Sequence, residues 1–187
     1  MVAVVAVAVI LHVTRPDAPP PGHDCEPIAA GVLRQPDNAA TSTVLIVVGL
    51  VLSGSAQSSR RLIGLGVFLA GTSSTVAHVT LHSVALAADG VAVVAALLLA
   101  ALAVSRSSIR PWPATAAAFL GVGAITLWAL SRSGRPLCVP EAFVNGHAVW
   151  HLLVALVALI GALSLTDRND SAKPPTRSTL SDGHGSS

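Results

Sequence analysis

Two histidines, His147 and His151, stand four residues apart at the start of an apolar run that continues to Leu165. In a helix, residues at i and i+4 lie on one face, about 6 Å apart, so both imidazoles can reach one metal ion. Ionisable groups inside a membrane span are energetically expensive and mark functional sites. The pair therefore predicts a metal site in or beside a membrane.

A second polar cluster precedes this pair. Ser74 lies one helical turn before His78, and Asp89 follows eleven residues later. If apolar spans alternate in direction, these groups reach the same membrane depth as His147 and His151. Three neutral imidazoles form a zinc-type ligand set whose fourth position holds a water that the metal acidifies. We predict the three histidines as ligands, Asp89 as a proton acceptor and donor, and Ser74 as a hydrogen-bond donor to a developing oxyanion.

The alternative for each of these histidines is a hydrogen bond between helices, a common role for a lone intramembrane imidazole. His82 also follows His78 by four residues and would share its helix face, so we interpret it as a supporting or interfacial group. His12, His23 and His184 have no comparable context.

The composition is that of an integral membrane protein. The 187 residues have a mean hydropathy of +0.71, with 52% hydrophobic and only 11% charged residues, which excludes an ordinary soluble domain. No basic face is interleaved with aromatic residues, so we expect no nucleic-acid partner. The predominance of arginine over lysine, together with abundant alanine and valine, indicates a bacterial source.

The hydropathy pattern predicts an all-α, polytopic bundle. Because a bilayer requires about 20 apolar residues per helix, five spans are expected, the second turning into the third within Leu81 to Ala88. The run from Met1 to Val13 is a possible short anchor helix or signal-like segment. We expect residues 14–38, rich in proline, to lie outside the membrane and residues 167–187 to form a disordered tail. The spans are predicted at about 39–57, 62–82, 84–104, 113–131 and 147–166.

More basic residues flank one side of these spans than the other, which predicts a multi-pass cell-membrane protein with a cytoplasmic C-terminus. Cys25 and Cys138 then both lie on the outer, oxidising side, and they are the only cysteines in the chain. We therefore predict a disulfide between them, the alternative being two unrelated thiols.

These residues belong to a pattern that resembles the alkaline ceramidase family, within the membrane hydrolase superfamily that includes the adiponectin-type receptors. It covers the chain from about residue 24 to 155, in these pieces: Asp24-Cys25-Glu26, Arg34-Gln35-Pro36-x-Asn38, Ser74-x-x-x-His78-x-Thr80-Leu81, Asp89, Cys138-x-Pro140 and Gly146-His147-Ala148-Val149-Trp150-His151-Leu152-Leu153.

The resemblance implies zinc on the three histidines, assistance from Ser74 and Asp89, and the same disulfide. Two features depart from the family. The family usually has seven helices, so this bundle is two helices short. Its eukaryotic members also bind calcium through several N-terminal acids. Here only Asp24 and Glu26 lie near Cys25, and Gln35 stands where a carboxylate is expected, which weighs against calcium.

The function predicted from this pattern is that of a zinc-dependent membrane amidohydrolase, an enzyme acting on a linear amide bond. It would cleave the N-acyl bond of ceramide or a related lipid amide to a fatty acid and an amine such as a sphingoid base. The alternatives are non-enzymatic: a lipid-binding, receptor-like member of the family, or a haem- or metal-binding protein that uses its paired histidines. A helical zinc protease is disfavoured, because Ala148 stands where the His-Glu-x-x-His motif needs glutamate.

Overall fold

The computed structural model of the protein describes residues 24–140, 142 and 145–167. Five of its helices are long and apolar enough to cross a membrane, and each begins and ends within four residues of its predicted bounds. The predicted all-α bundle of five spans is confirmed, and it indicates a membrane-embedded protein. The helices are α1 (Pro36–Ser53), α2 (Ser58–Thr80), α3 (Ser83–Ser105), α4 (Pro111–Leu130) and α5 (Gly146–Ser164).

Two boundaries differ from the sequence prediction. Pro36 to Asn38 belong to α1 rather than to the segment outside the membrane, because proline is well suited to the first helical turn. Asp167 belongs to a strand rather than to the tail. The possible N-terminal helix, residues 1–13, lies outside the described residues, as does the remainder of the predicted tail, residues 168–187.

The helices form an open ring in the order α3, α2, α1, α5, α4, and α3 and α4 barely touch each other. Two glycines bring α1 and α2 together closely, since a Cβ atom at Gly49 would overlap the backbone of Phe68 and one at Gly64 would overlap that of Ser53. Buried side chains from α1, α2 and α5 form most of the core, while α3 and α4 are the least buried helices. Helix α1 is therefore the middle helix of this order and packs between α2 and α5.

The turn between α2 and α3 lies within the predicted window. Helix α2 ends because Leu81 adopts a left-handed conformation, with φ 52°, and donates its backbone N–H to the carbonyl of Ala77. A left-handed residue other than glycine costs about 1–2 kcal/mol, and here the Leu81 side chain is buried. The turn leaves His78 in the last turn of α2.

A short antiparallel strand pair closes the end of the bundle opposite to the histidines. Strand β1 (Ser107–Ile109) pairs with β2 (Leu165–Asp167), so that Ile109 faces Leu165 in the register. The Asp167 carboxylate accepts hydrogen bonds from the backbone N–H and hydroxyl groups of Ser58 and Ser59, at the start of α2. The hydroxyl of Ser59 is the main reason why the pKa of Asp167 lies below its usual value.

Candidate metal centre

Two helix ends bring the three predicted ligands together. His78 comes from the last turn of α2, and His147 and His151 come from the first two turns of α5. All three side chains are buried, and their ring centroids lie 4.7 to 5.3 Å apart. One ring nitrogen from each histidine lies within 4.8 Å of the others. This group could hold a metal ion, as the sequence predicts.

Each imidazole has a polar partner at its Nδ1 atom. Gln35 Oε1 lies 2.7 Å from Nδ1 of His78. Asp24 Oδ1 lies 2.8 Å from Nδ1 of His147, and its other oxygen lies 3.8 Å from Nδ1 of His78. Metal-binding histidines almost always carry such a partner on the nitrogen that does not bind the ion.

Thr41 is the partner of the third imidazole. Its Oγ1 lies 3.0 Å from Nδ1 of His151 and is also 2.8 Å from the carbonyl oxygen of Asp37. A hydroxyl carries one hydrogen. Because that hydrogen is donated to the carbonyl, Oγ1 is left to accept from His151.

These contacts favour one tautomer for His78 and His151. The amide oxygen and the threonine oxygen act as acceptors, so Nδ1 of each ring carries the hydrogen and Nε2 keeps its lone pair. The Asp24 carboxylate, 2.8 Å from Nδ1 of His147, favours the same tautomer by its charge, although this contact does not have hydrogen-bond geometry. A neutral imidazole with a free Nε2 is the form that binds metal. The Nε2 atom of His151 lies 3.4 Å from the hydroxyl of Ser74.

Glu26 joins the starts of the two helices that flank the site. Its carboxylate accepts hydrogen bonds from the backbone N–H groups of Asp37, at 2.8 Å, and Asn38, at 3.0 Å, and so caps α1. Asn145 places its amide nitrogen 3.5 Å from the same carboxylate and caps α5 by accepting from Ala148 N–H at 2.9 Å. Burial is the largest cause of the raised pKa of Glu26.

The predicted disulfide between Cys25 and Cys138 is confirmed, with a Cα–Cα distance of 5.3 Å. Around it, Asp24 pairs through its backbone with Arg132, and its carbonyl accepts from the Ser133 hydroxyl at 3.1 Å. The bridge therefore fixes the segment that carries Asp24, the partner of His147.

Ser74 and Asp89, the predicted catalytic pair, line the same cavity. The Ser42 hydroxyl, which donates to the carbonyl of Asn38 at 2.6 Å, lies 3.3 Å from Ser74 Oγ, and the hydroxyl of Ser73 donates to the Asp89 carboxylate at 2.9 Å. Ser74 is buried, and Asp89 is half-buried. The structure thus places both groups at the histidine end of the cavity, with Ser74 against His151.

His82 does not share a helix face with His78, and that expectation is wrong. Because α2 ends at Thr80, His82 stands before α3 as its cap, where its Nδ1 accepts from Val84 N–H at 3.2 Å. It is not one of the three clustered histidines.

An apolar cavity of about 620 Å³ begins beside this site and extends through the ring of helices. The three histidines do not line it themselves, but Ser74, which does, lies 3.4 Å from His151. At one end it is lined by Ser74, Asp89 and Trp150, and at the other by Ile109, Ser164 and Leu165. Between these ends the lining consists of aliphatic side chains and glycine. Such a cavity suits a long apolar ligand whose polar group lies among the histidines.

Comparisons with protein-family models, curated proteins and solved structures find no match to this chain. The roles of Thr41 and Asn145 are absent from the sequence prediction. For Asn145 a signal existed, because asparagine directly before an apolar run is a typical helix cap.

Proposed function

We propose that this protein is a zinc-dependent membrane hydrolase of lipid amides, related to the alkaline ceramidases. It would cleave the N-acyl bond of ceramide or a related acyl amide to a fatty acid and an amine. The observation that carries the proposal is one continuous arrangement: three histidines with Nε2 available, Ser74 and Asp89 beside them, and an apolar cavity leading away.

The donor set fits zinc. His78, His147 and His151 would hold the ion through Nε2, and three nitrogen ligands with one open position are typical of catalytic zinc sites. When bound, zinc supplies a Lewis acid and lowers the pKa of a water molecule towards neutrality. All three Nδ1 partners are acceptors, which is the arrangement that orients ligating imidazoles.

The other polar residues supply the remaining chemistry. Asp89 would take a proton from the attacking water and return it to the departing amine nitrogen, as a general base and then a general acid. Ser74 would donate a hydrogen bond to the carbonyl oxygen as negative charge develops on it. The Ser73 hydroxyl holds one oxygen of Asp89 and so fixes its direction.

Two non-enzymatic functions remain as alternatives. The apolar cavity would equally serve a lipid receptor. A haem protein fits less well, because a porphyrin ligated by two of the three imidazoles would need the space that the third occupies.

The test is metal analysis of protein purified in detergent, together with mass spectrometry of a panel of lipid amides. We expect about one zinc per chain, near-complete loss of zinc in His147→Ala and His151→Ala, and retention in the control His82→Ala. If His82→Ala empties the site while His78→Ala does not, the ligand assignment is wrong. Stoichiometric zinc without cleavage of any amide would favour the receptor.

A further inference from the structure

The cavity has a measurable depth. One wall follows α5 from Trp150, beside the histidines, to Ser164 and continues to Leu165 at the start of β2, and another follows α3 from Asp89 to Val104. Fourteen residues separate His151 from Leu165, which at 1.5 Å per helical residue is about 21 Å. The cavity therefore reaches from Ser74 and Trp150, beside the histidines, almost to the opposite end of the bundle.

The cavity also has a built floor. Leu165 is only 2% exposed and closes the bottom, while its strand partner Ile109 lines the cavity at the same level and is 51% exposed. The carboxylate of Asp167, two residues further along β2, is tied to Ser58 and Ser59 at the start of α2. Three elements thus hold the floor in place, so the bottom of the cavity cannot recede easily.

We infer that this floor sets the longest acyl chain that the site accepts, at roughly 16 carbons. An extended chain with carbon–carbon bonds of about 1.5 Å advances roughly 1.3 Å per methylene, so a chain that begins at the histidines reaches Leu165 after about 16 carbons. The inference rests on the proposed function for the identity of the ligand. It adds the ligand's length and the residues that limit it.

Gly161 offers a substitution that shortens the cavity. It lines the cavity, and a Cβ atom there would meet no heavy atom within 4 Å. Leucine at this position would therefore project into empty space ten residues beyond His151, about 15 Å from the metal centre. Leucine is also a better helix former than glycine, so Gly161→Leu should fold.

Gly123 on α4 is the matched control. An added Cβ there also meets nothing within 4 Å, but Gly123 is not among the residues that line the cavity. Gly123→Leu therefore makes the same chemical change in a neighbouring helix without filling the cavity.

The measurement is thermal stabilisation of the protein in lipid nanodiscs by saturated fatty acids of about 8 to 20 carbons. In the wild type and in Gly123→Leu, stabilisation should rise with chain length up to about 16 carbons and then stop. In Gly161→Leu it should stop near 11 carbons. Since each buried methylene contributes about fourfold in affinity, losing contacts to about five methylenes should lower the affinity for the 16-carbon acid on the order of 1,000-fold.

Two results would overturn the inference. One is that stabilisation stops rising at the same chain length in Gly161→Leu as in Gly123→Leu. The other is stabilisation that continues to rise beyond about 18 carbons in the wild type, because the chain would then leave through the gap between α3 and α4. Fatty-acid binding requires no hydrolysis. A shorter maximum chain length in Gly161→Leu without any amide cleavage would therefore refute the hydrolase and support the limit on chain length. Amide cleavage without a maximum chain length would support the hydrolase and refute that limit.

Discussion

Replacing Gln35 by methionine tests whether the Nδ1 partners prepare the histidines for metal. Methionine keeps the length of the side chain but removes the amide oxygen that lies 2.7 Å from Nδ1 of His78. The free protein can respond by moving the His78 hydrogen to Nε2. Metal binding at Nε2 forces the hydrogen back to Nδ1, where it then has no acceptor. The substitution therefore destabilises only the metal-bound form and lowers the affinity for metal.

The size of this effect follows from burial. Gln35 is 2% exposed and His78 is 3% exposed, so bulk water cannot easily replace the lost acceptor. A buried donor without a partner costs about 1–3 kcal/mol, and each 1.4 kcal/mol is about tenfold in affinity. Asp24, whose second oxygen lies 3.8 Å from His78, can replace part of the contact. We therefore expect zinc affinity to fall by about tenfold.

The assay is competition for zinc against a chromophoric chelator at neutral pH. Gln35→Glu retains an acceptor oxygen and should bind zinc at least as tightly as the wild type. Gln57→Met makes the same substitution at the opposite end of the bundle and should leave zinc affinity unchanged. Zinc affinity of Gln35→Met within about twofold of the wild type would refute the tautomer argument. An equal loss in Gln57→Met would point to general destabilisation.

Three further predictions concern other parts of the molecule. Asp89→Asn should retain zinc but lose about 10² to 10⁴ in the rate of amide cleavage, and full activity with normal metal content would remove Asp89 from the mechanism. Reduction of the Cys25–Cys138 bridge should release zinc before helical circular dichroism falls, whereas simultaneous loss would contradict a local effect. The lowered pKa of Asp167 means that its stabilising contribution is present above its ordinary value of 3.8 and is lost as pH falls through the folded value. Asp167→Asn should therefore unfold more readily than the wild type at neutral pH, with the difference shrinking near pH 3, as thermal melts at both pH values would measure.

The spans were predictable because hydropathy accumulates over a whole helix, and an error at one residue changes it little. The end of α2 was harder to predict. Leu81 carries no sequence signal for a left-handed turn, since glycine is the usual residue there, and the error over His82 followed from this. The three-residue strands β1 and β2 are too short to show an alternating pattern.

In the candidate site, too, local features were predictable from the sequence and long-range contacts were not. The spacing of His147 and His151 within one helix is local and was visible in the sequence. Thr41 and His151 are 110 residues apart, and nothing at Thr41 distinguishes it from other threonines in apolar runs. Which hydroxyl meets which imidazole depends on how α1 packs against α5, and only the folded structure reveals that.

The placement of these contacts explains how an open ring can still carry a complete site. Helices α2 and α5, which supply the three histidines, meet each other only sparsely, and α1 packs between them. Gln35 at the start of α1 contacts the histidine of α2, and Thr41 contacts a histidine of α5. Helices α3 and α4 contribute the wall of the cavity and, among the predicted site residues, Asp89 alone. Within the described residues the bundle has five helices, where the resemblance to ceramidases would imply seven, and it is open between α3 and α4. The opening therefore lies in the wall of the cavity, whereas the three histidines and their Nδ1 partners come from the other helices and the segment before α1.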